Sequence, residues 1–156
     1  MSERNIRTSA KGLVIRDGKM LVNVMHDEDG IFYLMPGGGQ EAGESLPEAV
    51  RREIAEEAGL WVRPLDLAFV IEGLHSEDFH RIDLVFRCEV ERPVEAGEIE
   101  HCDDQNQVGI EWIPVETIQK APLYPWRLRK PIYELFHGKR GIVYLGNEEM
   151  GDPAEE

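Results

Sequence analysis

Glu53, Glu56 and Glu57 stand at i, i+3 and i+4 in the run SLPEAVRREIAEEAGL, so on a helix their carboxylates share one patch. Carboxylates that close repel one another unless positive charge sits among them. Arg51 and Arg52 can supply some of it. A hard divalent cation with oxygen ligands matches better, and Mg²⁺ leaves room in its shell for substrate phosphates. Just upstream, Pro36-Gly37-Gly38-Gly39 offers a bare backbone that a ligand can approach and carbonyl oxygens able to coordinate. Each half has a plain alternative. Helical charge runs mostly solubilise, and glycines often only turn a chain. Loop and helix together favour a cation site.

The elements that must position these groups follow from patterning. Ser45 is a good N-cap, Glu48 completes a capping box, and Pro47 sits where its missing N–H costs little. Gly59 stops the helix, and Leu46, Val50, Ile54 and Ala58 form its apolar stripe. The acidic patch borders that stripe.

Upstream, 8–16 and 20–25 read as strands joined at Asp17-Gly18, a hairpin signal. A short strand over 31–35 delivers the glycine loop. Downstream, 61–73 reads as a bent strand and 75–78 as a loop. Residues 80–91 form a strand with Ile82, Leu84, Phe86, Cys88 and Val90 on one face. Arg81, Asp83 and Arg87 share the other face with Val85; a solvated face is expected there, with Arg81 a candidate for a substrate phosphate or ribose. Residues 92–106 form a long acidic loop, 108–113 a strand and 114–118 a helical turn. A second helix over 126–138 is interrupted near Pro131. Residues 142–145 read as an edge strand or a dimer contact, and 1–5 and 147–156 as flexible ends. Strands flanked by two helices in mixed order give an α+β fold in one domain spanning 1–156.

Bulk properties narrow the partners. The chain has 156 residues, enough for one domain with a real core. Its formal net charge of −14 repels nucleic acid and anionic membranes, which argues against both as partners. That charge also repels nucleotides, so cations would have to neutralise their phosphates locally. Neither a signal-peptide core nor a membrane-length apolar run is present, and Cys88 and Cys102 lack metal-ligand spacing, so a reducing cytoplasm is expected.

At the loop and helix the sequence resembles the Nudix hydrolases (MutT-like), whose box reads G-x5-E-x7-R-E-U-x-E-E-x-G-U, with U a bulky apolar residue. Gly38, Glu44, Arg52, Glu53, Ile54, Glu56, Glu57, Gly59 and Leu60 fill every fixed position. The resemblance implies an α/β/α sandwich around a mixed sheet and a Mg²⁺- or Mn²⁺-dependent pyrophosphohydrolase acting on a nucleoside diphosphate linked to another moiety. It implies Glu53, Glu56 and Glu57 as metal ligands, joined by the Gly37 carbonyl. Glu53, Glu57 and Arg52 are then catalytic, with Arg52 holding a box glutamate in place. Gly38 and Glu44 serve the substrate loop, Glu44 supporting it or a further metal. A glutamate after the long strand often completes the site in that family, and Glu98 is the first candidate, ahead of Glu100. A homodimer is the family-typical state.

Substrate-specific signals are absent. Position 75, where ADP-ribose enzymes of the family carry proline, is His75; Ser76, Glu77 and Asp78 stand where dinucleoside polyphosphate enzymes carry tyrosine. Nucleoside triphosphates and sugar nucleotides remain open. Phe79, Trp112, Tyr124 and Trp126 are candidate base-stacking aromatics. The rival readings are a nucleotide-sensing or interaction module with the same fold and no turnover, and an acidic divalent-ion-binding protein without enzymatic work.

Overall fold

The computed structural model describes residues 6–76, 79–99 and 107–147. The expectations for 1–5, Glu100, Cys102 and the tail from 148 onward fall outside them. Nine strands form one mixed sheet: β1 (Ile6–Arg16), β2 (Lys19–Asp27), β3 (Gly30–Leu34), β4 (Gly37–Gly39), β5 (Leu60–Ser76), β6 (Phe79–Pro93), β7 (Gln107–Pro114), β8 (Leu123–Tyr124) and β9 (Tyr144–Asn147). Their order is β8-β3-β2-β1-β6-β5-β9, with β4 paired to β1 and β7 to β2. The central β1–β6 pair is parallel, while β1–β2 and β5–β6 are antiparallel.

The sheet is buried on both faces, as the α/β/α expectation requires. On one side lies α1 (Leu46–Ala58), with Val50 and Ile54 packed on Ala10, Val14, Leu21, Val62 and Cys88. On the other lie a 3₁₀ turn (Val115–Lys120) and α2 (Arg129–Phe136), covering Leu13, Met20, Val22 and Val85. Alternation along β2 sends Leu21 to α1 and Met20 and Val22 to α2. This is why the strand is apolar throughout.

The helix caps form as read. Ser45 Oγ accepts from the Glu48 N–H at 3.2 Å, and Gly59 takes the left-handed conformation at φ 66°. Asp17 and Gly18, both at positive φ, turn the first hairpin. Several boundaries differ from expectation. The glycine loop is a short strand, with Gly37 opposite Lys11 on β1. β5 continues through Ser76 across part of the expected loop. The second helix begins only at Arg129, after a 3₁₀ turn at Trp126–Leu128; Pro131 is accommodated in its first turn rather than interrupting it. Asn147 belongs to β9 rather than to a flexible tail.

Ile54 is fully buried, and its Cδ1 fills the space over Gly12, where an added Cβ would stand 2.4 Å away. Ile54→Ala is expected to destabilise the protein by about 2–5 kcal/mol in denaturant unfolding. A loss below about 0.5 kcal/mol, the level of a neutral surface change, would contradict this packing.

Candidate active site

β1 builds the site by pairing with the glycine segment. Ser9, Ala10 and Lys11 lie opposite Gly39, Gly38 and Gly37, and the Gly12 N–H donates to the Pro36 carbonyl at 2.8 Å. Gly37 has φ 138°, and a Cβ there would stand 2.2 Å from the Ala10 carbonyl oxygen, so the residue must be glycine. Gly38 faces the helix. A Cβ on it would come within 2.6 Å of the Glu53 carboxylate carbon. The backbone and the acidic helix thus meet without an intervening side chain.

Arg52 organises the carboxylates. Its Nε and Nη2 donate to the two oxygens of Glu44 at 2.6 and 3.0 Å, a bidentate fork. Nη1 donates to Glu53 at 2.9 Å and to Glu56 at 3.4 Å, and Nη2 also reaches the Gly39 carbonyl at 3.1 Å. The fork holds Glu44 below the usual carboxylate range and drives Arg52 well above the usual guanidinium range. Arg52 thus supplies more of the neutralising charge than its share in the sequence reading. One guanidinium serves three of the acids. Among the described residues, no three Asp, Glu, His or Cys side chains stand ready as a metal cluster.

Glu57 has different partners. Its Oε2 accepts from the Gly37 N–H at 3.0 Å and from Asn23 Nδ2 at 2.9 Å. Burial pushes its carboxyl up to about 6, against the lowering effects of Asn23, Gly37 and nearby Lys11. Lys11 Nζ donates to the Gly37 carbonyl at 3.5 Å, so positive charge already lies at that oxygen. A hard cation suits these donors. They are all oxygen, Glu57 is penalised for ionising in its hollow, and the Asn23 Oδ1 beside it is buried without a partner among the described residues.

A cleft of about 130 Å³ adjoins the glycine segment through Lys11 and is further lined by Met35, Arg81, Asp83, Val85 and Tyr124. Arg81 Nε donates to Asp83 Oδ1 at 2.8 Å, and the Asp83 side chain is only 4% exposed. The Arg81 face of β6 is therefore a cleft wall, not the solvated surface expected. Tyr124 is the aromatic that reaches this cleft, whereas Trp112 packs against the α1 side of the core.

Glu98 is not brought into the acidic cluster. It lies in the turn after β6, where Arg92 grips both its oxygens at 2.7 and 3.0 Å. The Trp61 indole and the Glu95 N–H donate to it as well. The Arg92 hydrogen bonds, chief among these, hold it down at about 2. A carboxylate so stabilised is poorly matched to taking a proton from water at neutral pH. Sequence reasoning passed over Asn23 and Lys11. The signal for Asn23 was there: one polar residue inside the apolar run Met20-Leu21-Val22-Asn23-Val24-Met25.

A loop–helix acidic site on a doubly covered mixed sheet defines a class, and the comparisons name it. The NUDIX domain model matches residues 6–136, and the chain belongs to the NUDIX domain family. The nucleoside triphosphatase NudI of Escherichia coli O139:H28 (strain E24377A / ETEC) is 45% identical over 56 residues. That match covers 34% of this chain and 40% of NudI, so the chain spans well under half of that relative's length. A NUDIX hydrolase from Nitrosomonas europaea superposes with a TM-score of 0.70 at 21% identity, covering 87% of this chain and 92% of its own. The MutT protein of Methanosarcina mazei Go1 gives 0.64 at 20% identity, covering 88% and 98%. At these identities the structural likeness establishes the fold alone. Among the described residues no helix is long and apolar enough to cross a membrane.

The Glu57 environment predicts a pH dependence of stability. Its folded value of about 6 exceeds the ordinary 4.5, so the folded state binds the proton more tightly than the unfolded one. The stability tied to that proton is present in full below 4.5 and is lost as pH rises through about 6. Its size is about 2 kcal/mol. In metal-free protein, Glu57→Gln should therefore gain stability relative to wild type between those two pH values, read from denaturant midpoints. A constant difference across the range would contradict the burial argument.

Proposed function

We propose that this protein is a divalent-cation-dependent hydrolase that cleaves a pyrophosphate bond in a nucleoside triphosphate or a sugar nucleotide. The observation that carries the reading is the meeting of the Gly37 backbone with Glu57 and the acidic face of α1. Glu53, Glu56, Glu57 and the Gly37 carbonyl would hold Mg²⁺ or Mn²⁺, in competition with Arg52 for Glu53 and Glu56. Such a cation would draw the diphosphate oxygens together and offset the charge that builds on them as water attacks.

The chain's own residues supply the rest. Lys11 and Arg81, on the cleft walls, attract the anionic substrate and counter the overall charge of −14. Gly38 keeps the approach to Glu53 clear. Arg52 and Glu44 fix the loop to the helix, so the carboxylates are oriented before substrate arrives. A helix carboxylate left unengaged by the cation would take the proton of the attacking water. The likeness to a nucleoside triphosphatase supports nucleoside triphosphates as the first substrates to try.

A panel of nucleoside triphosphates and sugar nucleotides, assayed for product with and without Mg²⁺, tests the reading. Cation-dependent turnover of at least one is expected, with Glu57→Gln slower by orders of magnitude at an unchanged fold. Nucleotide binding without product at any cation concentration would favour the sensor module. Full activity of Glu57→Gln at saturating Mg²⁺ would overturn the site.

A further inference from the structure

We propose that Asn23 is a positioning residue of the cation site: its carboxamide holds Glu57 with its nitrogen, and its oxygen accepts a hydrogen bond from a water in the cation's shell. The proposal depends on Glu57 belonging to such a site.

Asn23 lies on β2 two residues beyond Leu21, so its side chain points to the same face, under α1. It is 6% exposed. Its Nδ2 and the Gly37 N–H donate to the same oxygen, Glu57 Oε2, at 2.9 and 3.0 Å. Three separate elements, β2, β4 and α1, are thus tied together at one carboxylate oxygen.

This arrangement fixes which way the amide faces. With Glu57 ionised, turning it over would set Oδ1 against a carboxylate oxygen, two acceptors with no proton between them. Oδ1 is therefore committed to the other side, and there it has no partner among the described residues. Buried amide oxygens are rarely left in that condition; water or a ligand completes them. Packing alone does not ask for a carboxamide here, because Leu21 and Met25 fill the flanking positions of the same face with apolar side chains. Mg²⁺ gives up its waters reluctantly and keeps several of them when bound, each an outward-facing donor. An acceptor oxygen beside a ligating carboxylate is where such a donor is needed, and outer-shell partners of this kind orient the ligand they touch.

The test is Mn²⁺ binding to metal-free protein, followed by calorimetry and by the paramagnetic signal of free Mn²⁺. Wild type is compared with Asn23→Leu, which keeps the bulk and removes both polar ends, and with Asn23→Ser, which is too short to span to Glu57 and leaves room for water. Both variants should bind Mn²⁺ about 10- to 100-fold more weakly. Metal-free Asn23→Leu loses the Nδ2 bond to buried Glu57 along with the unpartnered oxygen, so its melting temperature is measured alongside and Mn²⁺ affinity is read below it. At limiting Mn²⁺ the variants should lose kcat with the nucleotide KM unchanged, and excess Mn²⁺ should restore much of kcat. Wild-type Mn²⁺ affinity in folded Asn23→Leu or Asn23→Ser would overturn the role of Asn23 while leaving the cation site standing. Absence of Mn²⁺ uptake by wild type would overturn the site itself.

Discussion

One guanidinium carries the constraint on which the site depends. Arg52 emerges from α1 beside a crowd of carboxylates and gathers Glu44, Glu53, Glu56 and the Gly39 carbonyl within hydrogen-bond range. Without that charge, the acids of one helical turn would repel one another and the loop ahead of the helix would lose its anchor. A lysine would carry the charge but not the fork, and Glu44 is held through both its oxygens. Arg52 thereby joins Glu44, Glu53 and Glu56 to the Gly39 carbonyl, and Glu53 lies against Gly38.

Glu57 obeys a different rule. It is held by neutral donors from the sheet side, the Gly37 N–H and Asn23, in a hollow where ionisation is penalised. The two arrangements complement each other. Arg52 orders the rim of the site, and the sheet orders its floor. The pairing of β1 with both β4 and β6 matters here, because it sets the glycine segment and the Arg81–Asp83 cleft on either side of Lys11. Two of the chain's 17 Lys and Arg residues, Lys11 and Arg81, line that cleft.

What the sequence made legible was whatever local chemistry decides. Ser45, Glu48 and Gly59 place the ends of α1 because capping acts over three or four residues. Val50 and Ile54 mark its buried face because the helical period is fixed. Tertiary pairing was not legible. The triple glycine looked like a free loop, yet β1 recruits it as a strand. The polar face of β6 looked solvated because alternation reveals which residues share a face, not what covers it; Asp83 is buried there. Glu98 looked available because a loop carboxylate shows no partners in sequence, whereas Arg92 and Trp61 engage it. Asn23 stood out as the polar residue in an apolar run, but its meaning came only when Glu57 was found across from it.

The central claim is that the Gly37 backbone and the glutamates of α1 together grip a divalent ion. Anomalous diffraction from crystals equilibrated with Mn²⁺ tests this most directly. A peak bounded by Glu57, the Gly37 carbonyl, and Glu53 or Glu56 swung from Arg52 is the predicted result. Crystals with Arg52 still holding Glu53 and Glu56, and no anomalous density beside Glu57 at saturating Mn²⁺, would contradict it.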